Sequence, residues 1–308
     1  MKKKPYRYVL YILARCLIHV LGHLPLSIVR CIARALGAVV YASLRRERQK
    51  VMRHLTVAYG ETLALREKKR IARNVFTNLS IVCGDLMYLR YRSVARAMAL
   101  ISSSAEDRGR YQEAVQQGKG FIVAASHLGN WELMAAFLVN AFPYTAPVAV
   151  IGKRIYYERY NDLIIGLRER FGVRTIYRDA SFKAIVRILK QGGGIGILTD
   201  QDVDSIPGIF VDFFGKPAYT TDSIARLAAL TGAPVIPCAL VREGKRYRFL
   251  VDDIIYFDQN ADRDEAIRAV TQRVSSCIEK YIRAYPDQWV WMHNRWKTQA
   301  GETPHRNQ

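Results

Sequence analysis

The chain has 308 residues, half of them hydrophobic. That suits one large domain with its own core and excludes an intrinsically disordered protein. Five scattered cysteines without a CxxC pair argue against a disulfide framework or a zinc site and fit a reducing compartment. The formal net charge of +20 attracts nucleic acid, anionic lipid or an acidic protein, and charge alone does not choose among them.

Residues 1–54 concentrate this charge, with twelve Lys/Arg against the single acid Glu47. MKKKPYRY leads into a long apolar run that ends at RRERQK. The run outlasts a signal peptide and shows no clear small-residue cleavage site. Arg15, His19 and His23 interrupt it at spacings of four, so they share one helix face, and Arg30 and Arg34 repeat the spacing after Pro25. Amphipathic helices lying in a membrane interface account for this better than a clean span. The flanking Lys/Arg clusters would then meet anionic headgroups and predict a cytoplasmic placement.

Residues 47–118 read as mostly helical, with apolar positions three and four apart. From Gly120 short apolar runs alternate with helical patterns. GFIVAAS (120–126), APVAVIG (146–152), VRTIY (173–177) and GIGILTD (194–200) read as strands. The intervening segments read as amphipathic helices. APVIPCALVRE and YRFLVDDIIYF add two strands, and a helix over 263–284 closes the core. Fully apolar strands between helices predict an α/β fold, with a mixed, mostly parallel sheet covered by helices on both faces.

His127 closes the first of these strands, and Glu132 stands five residues on in SHLGNWE. Ligands bind at such strand ends. Gly129 and Asn130 mark a tight turn, which is expected to fold Glu132 back onto the His127 ring. Glu132 would then accept the Nδ1 proton and leave Nε2 as a general base. The blander alternative is a histidine capping a strand end. No second His or Cys sits at ligand spacing, so no metal is expected, and no G-x-S-x-G points to a serine nucleophile.

SHLGNWE resembles the H-x4-(D/E) motif of glycerolipid-type acyltransferases, and more specifically that of the bacterial lipid A biosynthesis acyltransferases. Three further blocks resemble that family in order: LTDQD (198–202), FVDFFGKPAYTTDSIARLAALTGAPVIP (210–237) and PDQWVWMHNRWKT (286–298). The resemblance implies a glycerolipid-acyltransferase-like core over 47–299, behind membrane-associated helices over 1–46 and before a tail over 300–308. It implies an O-acyltransferase on the cytoplasmic face of the inner membrane. The donor would be an acyl carrier protein or coenzyme A thioester, and the acceptor a glucosamine-based lipid A precursor. His127 would act as base and Glu132 would orient it, with no cofactor.

The family commonly has Tyr-Arg-Pro after the second strand, where this chain has GKR. Lys153, with Arg154 beside it, would meet phosphate there without an arginine fork. Asp200 and Asp202 fall in the second motif and read either as substrate-site residues or as turn formers. Arg295 belongs to the last block, and Arg178 follows a strand end near the same cleft. Another glycolipid or a lysophospholipid is the alternative acceptor. A non-catalytic basic membrane or nucleic-acid-binding protein is the alternative class, though RNA-binding and DNA-reading motifs are not apparent.

Overall fold

The computed structural model describes residues 6–144, 146–178 and 182–299. The expected tail and the Lys2, Lys3 and Lys4 cluster lie outside the described residues.

Four helices come first: α1 (Tyr6–His23), α2 (Leu26–Ser43), α3 (Arg45–Tyr59) and α4 (Leu65–Leu89). Pro25 separates the first two because a proline cannot donate the hydrogen bond that would continue α1. Val29, Ala33 and Gly37 of α2 are buried, while Ile28, Ile32, Leu36 and Val39 face outward. The buried stripe lies on α4. A side chain at Gly37 would place its Cβ 2.7 Å from the Thr77 Cα, so a glycine is what lets the two backbones approach. Most large apolar residues of α1 are also exposed, among them Val9, Leu13, Leu17 and Val20. His19 and His23, also exposed, lie against the Tyr91 ring. Among the described residues, α2 is the one helix long and apolar enough to cross a membrane.

Arg30 does not join the polar face expected from its spacing. It is buried, and its Nε and Nη2 donate to both oxygens of Asp85 at 2.9 and 2.6 Å. Its Nη1 donates to the Lys245 carbonyl, and the Tyr247 hydroxyl donates to Asp85 at 2.8 Å. This network fastens the apolar hairpin to the core.

The core follows with α5 (Val94–Met98), β1 (Ile101–Ser103), α6 (Ala105–Gln116), β2 (Phe121–Ala125), α7 (Trp131–Ala141) and β3 (Val148–Gly152). Next come α8 (Glu158–Arg170), β4 (Arg174–Tyr177), α9 (Phe182–Lys190) and β5 (Gly194–Leu198). A hairpin of β6 (Gly208–Phe213) and β7 (Lys216–Thr221) precedes α10 (Ser223–Thr231), β8 (Val235–Glu243), β9 (Arg246–Val251) and α11 (Arg263–Ala284). The main sheet has the order β1-β9-β8-β2-β5-β3-β4. Its pairs are parallel except β8 with β9, so the sheet is mixed and mostly parallel, as the apolar strands predict. The strand β1 was not visible in a segment that reads as helical.

Strand alternation divides the core. Phe121, Val123, Ala125, Val148, Val150 and Leu198 point toward α7. Ile122, Ala124, Ala149, Ile195 and Ile197 point toward α10 and α11. β2 and β5 are central neighbours, paired from Phe121 opposite Gly194 to Ala125 opposite Leu198. Their carboxyl ends therefore finish side by side.

Asp85→Ala should leave Arg30 as a buried, unpaired charge and cost roughly 3–5 kcal/mol. Denaturant unfolding of the detergent-solubilised protein checks this, with loss of less than about 1 kcal/mol (the range of an exposed pair) as the contrary result.

Candidate active site

Two residues beyond the last register pair, Ala125 opposite Leu198, stand His127 and Asp200. Neighbouring strands lie about 4.8 Å apart, so this placement alone brings the two side chains together. His127 Nδ1 lies 2.8 Å from Asp200 Oδ1, and the His127 backbone N–H donates to Oδ2 at 2.9 Å. Trp289 Nε1 donates to the same Oδ2 at 2.7 Å. The Asp200 side chain is fully buried, while a fifth of the His127 side chain remains exposed. A buried carboxylate at this distance accepts the Nδ1 proton, which leaves Nε2 as the basic nitrogen.

Burial pulls the His127 pKa down, but the charge and hydrogen bond of Asp200, with a smaller push from Glu132, leave it above the ordinary 6.5. Burial raises the Asp200 carboxyl, yet His127 and the Trp289 donor outweigh this and hold it well below the usual carboxylate range.

The expected His127–Glu132 contact is not formed. Gly129 has φ +60°, and a Cβ there would stand 2.0 Å from the Leu240 carbonyl oxygen. Asn130 then caps α7 by accepting from the Leu133 N–H at 3.0 Å. Because the helix begins at Trp131, its turn carries Glu132 sideways, away from the imidazole. Arg168 holds Glu132 instead through Nε at 2.7 Å and Nη2 at 2.6 Å. The acid on the histidine ring is Asp200, and Glu132 belongs to a half-buried ion pair beside it.

The segment after α11 forms the opposite wall. His293 lies 5.1 Å from His127 between ring centres. The Gln201 side-chain nitrogen sits 2.8 Å from His293 Nε2 and 3.4 Å from His127 Nε2. Burial lowers the His293 pKa, and the nearby His127 lowers it further. Beside Trp131, a narrow apolar cavity opens between α7 and the sheet. It holds about 590 Å³ of empty space, part of it open to solvent, with Val123, Met134, Leu138, Val150 and Leu198 among its walls.

A family model described as bacterial lipid A biosynthesis acyltransferase matches residues 2–298. The chain belongs to this family. The phosphatidylinositol mannoside acyltransferase of Mycobacterium tuberculosis (strain ATCC 25618 / H37Rv) is 23% identical over 70% of this chain, and the match spans 66% of that relative's own length. The lipid A biosynthesis lauroyltransferase of Escherichia coli (strain K12) is 23% identical over 92% of this chain and 90% of its own. The palmitoleoyltransferase of the same strain is 24% identical over 91% and 89%.

The other site residues read from the sequence scatter. Lys153 and Arg154 are exposed just past β3, and Arg178 is exposed just past β4. They form a cationic edge two and three strands from His127, with the Arg154 guanidinium 4.1 Å from the Tyr177 ring centre. Asp202 accepts from the Thr298 backbone N–H at 2.7 Å and hydroxyl at 2.8 Å, which ties down the C-terminal segment. Arg295 is 1% exposed, and its Nη atoms donate to the Tyr219 carbonyl and the Thr220 hydroxyl. Burial lowers its pKa to about 10, against the pull of Asp200 and Asp202. Asp202 and Arg295 thus fasten the fold through these hydrogen bonds. Sequence reasoning missed Arg168, Gln201, Trp289 and His293. The last two lie in the C-terminal block quoted above, where their types alone carried a signal.

Asp200→Asn should drop the His127 pKa below 6.5, because burial then acts without the carboxylate that opposes it. Titration of the ring by NMR checks the direction, and an unchanged or higher value would contradict the pairing.

Proposed function

We propose that this protein transfers a fatty acyl group from a thioester donor to the hydroxyl of a glycolipid, with His127 as general base. The observation that carries the reading is the Asp200-oriented imidazole, whose ring packs against Trp131 on the wall of an apolar cavity. In the step, the acceptor hydroxyl gives its proton to His127 Nε2 as its oxygen attacks the thioester carbonyl. The C–O bond forms and the C–S bond breaks. The proton on His127 then passes to the departing thiolate, which restores the base. Asp200 holds the tautomer and stabilises the imidazolium.

The donor of this reading is an acyl carrier protein, because a +20 enzyme steers an acidic partner toward it. The acceptor is a phosphorylated glucosamine lipid of the lipid A type, its phosphate meeting Lys153, Arg154 and Arg178. The likeness to the mannoside acyltransferase supports a second acceptor, a phosphoinositol-linked glycolipid. The outward apolar faces of α1 and α2 support attachment to the cytoplasmic face of the inner membrane. α1 also touches the cationic edge: Arg7 lies over the Tyr156 ring and Arg159 over the Tyr8 ring. A lipid drawn along α1 would therefore arrive at the site.

His127→Ala should lose roughly 100- to 10,000-fold in kcat. The assay uses full-length protein in mixed micelles, acyl carrier protein thioesters and the two acceptor classes. A variant that folds, stays with membranes and keeps full activity would remove the enzyme reading. Because His127 must be unprotonated to act and its pKa is raised, kcat/KM should fall as pH drops through a value above 6.5. Asp200→Asn should move that limb to lower pH while reducing kcat by on the order of 10³-fold or more. An unmoved limb would separate His127 from the rate.

A further inference from the structure

β5 carries two glycines, Gly194 and Gly196, on the face that looks toward α7. Strand alternation sets Phe121, Gly194 and Val148 in one row and Val123, Gly196 and Val150 in the next. The two glycines meet different fates. A Cβ on Gly194 would fall 2.1 Å from the Phe121 ring, so that ring already fills the space above it. Phe121 is fully buried and stacks on Tyr144 at 5.5 Å between ring centres. A Cβ on Gly196 would have a single tight neighbour, Val150 Cγ1 at 3.3 Å, and the cavity runs past it. One missing side chain is replaced by an aromatic ring, and the other is left as empty space.

The cavity's extent follows from its walls. On α7 they run from Trp131, beside His127, to Val139. Eight steps of about 1.5 Å make roughly 12 Å. A fully extended chain of sp³ atoms advances about 1.2 Å per bond, judged from the 3.3–3.6 Å that three backbone bonds span. The walls thus enclose on the order of ten carbons of extended chain.

We propose that Gly196 sets the bore of an acyl-length gauge, which Phe121 backs from behind where its ring packs over Gly194 in the row of the wall residue Val148, so that the enzyme selects a donor chain of on the order of ten carbons. This rests on the acyl-transfer reading above. Within a pocket of this kind each misplaced methylene changes the rate by roughly 10- to 200-fold, so two positions suffice to fix the length.

The test measures kcat/KM with acyl carrier protein thioesters from six to sixteen carbons. The wild type should show an optimum near ten to twelve carbons and a fall beyond it. Gly196→Val should lower the ten-carbon rate by about 100-fold relative to the six-carbon rate, from one or two blocked methylenes. Gly196→Ala should shift the optimum less, since it needs only a small movement of Val150. Phe121→Leu should move the optimum the other way, toward longer chains. Opposed shifts from one substitution in the cavity wall and one behind it are not produced by misfolding. The gauge is overturned if the wild type gains rate steadily through sixteen carbons, or if Gly196→Val lowers every chain length equally. A wild type that transfers no acyl chain of any length defeats the acyl-transfer reading itself, and that outcome is distinct from both.

Discussion

The buried Asp200 carboxylate is the constraint around which the site is built. A lone buried carboxylate is costly in a low-dielectric interior, so it must be neutralised or well supplied with donors. Here the His127 ring, the His127 backbone N–H and the Trp289 indole supply them. Each comes from a different requirement of the fold. The backbone donor exists because β2 and β5 are parallel neighbours in a fixed register. The indole arrives because the segment after α11 returns across the strand ends, where Leu128 bridges Trp289 and His127 accepts from the Val290 N–H. The ring fills the last place and is locked in one tautomer as a result. Asp202 and Arg295 hold the returning segment and so hold the indole in range.

The ion pair of Glu132 and Arg168 divides the polar head of the site from its apolar interior. Both side chains are about one-seventh exposed. Two complementary charges joined by paired hydrogen bonds present little net field to a hydrocarbon chain. Gly152 belongs to the same arrangement, because a Cβ there would press on the Arg168 guanidinium at 3.1 Å. The same face of β3 and β5 thus carries three glycines with three outcomes: Arg168 crosses one, Phe121 covers one, and the third stays open.

Much of the fold was legible, because the central runs of β2 and β8 are strands buried on both faces, and that pattern is local. The order β8-β2-β5-β3-β4 was not, since no single run records which neighbour it pairs with. The site shared this division. His127 stood out because it ends a strand ahead of a Gly-Asn turn. Its partner was misread because five residues of sequence looked like the shorter path. The helix cap at Asn130 removes that path by turning Glu132 away, and the register of β2 on β5 supplies Asp200 from seventy-three residues off. Arg30 was misread for a related reason. Its four-residue spacing marks a helix face, but only the packing of α2 on α4 shows that this face looks inward to Asp85.

That inward turn bears on how the apolar hairpin is set against the core. If Arg30 and Arg34 both faced lipid headgroups, the hairpin of α1 and α2 would be free to tilt with the membrane. With Arg30 bound to Asp85, and Asp85 to Tyr247 of β9, the hairpin becomes part of the sheet's own scaffold. Its exposed apolar residues then hold a fixed direction relative to the strand ends. α1 packs beside the cationic edge after β3, so the surface fit for lipid and the surface fit for a phosphorylated headgroup adjoin. In the proposed function, such an arrangement would lower the cost of bringing a bulky amphiphile to one imidazole, because its tails would stay on an apolar surface while its hydroxyl approached the base. The apolar hairpin and the candidate site are thereby joined through one buried ion pair.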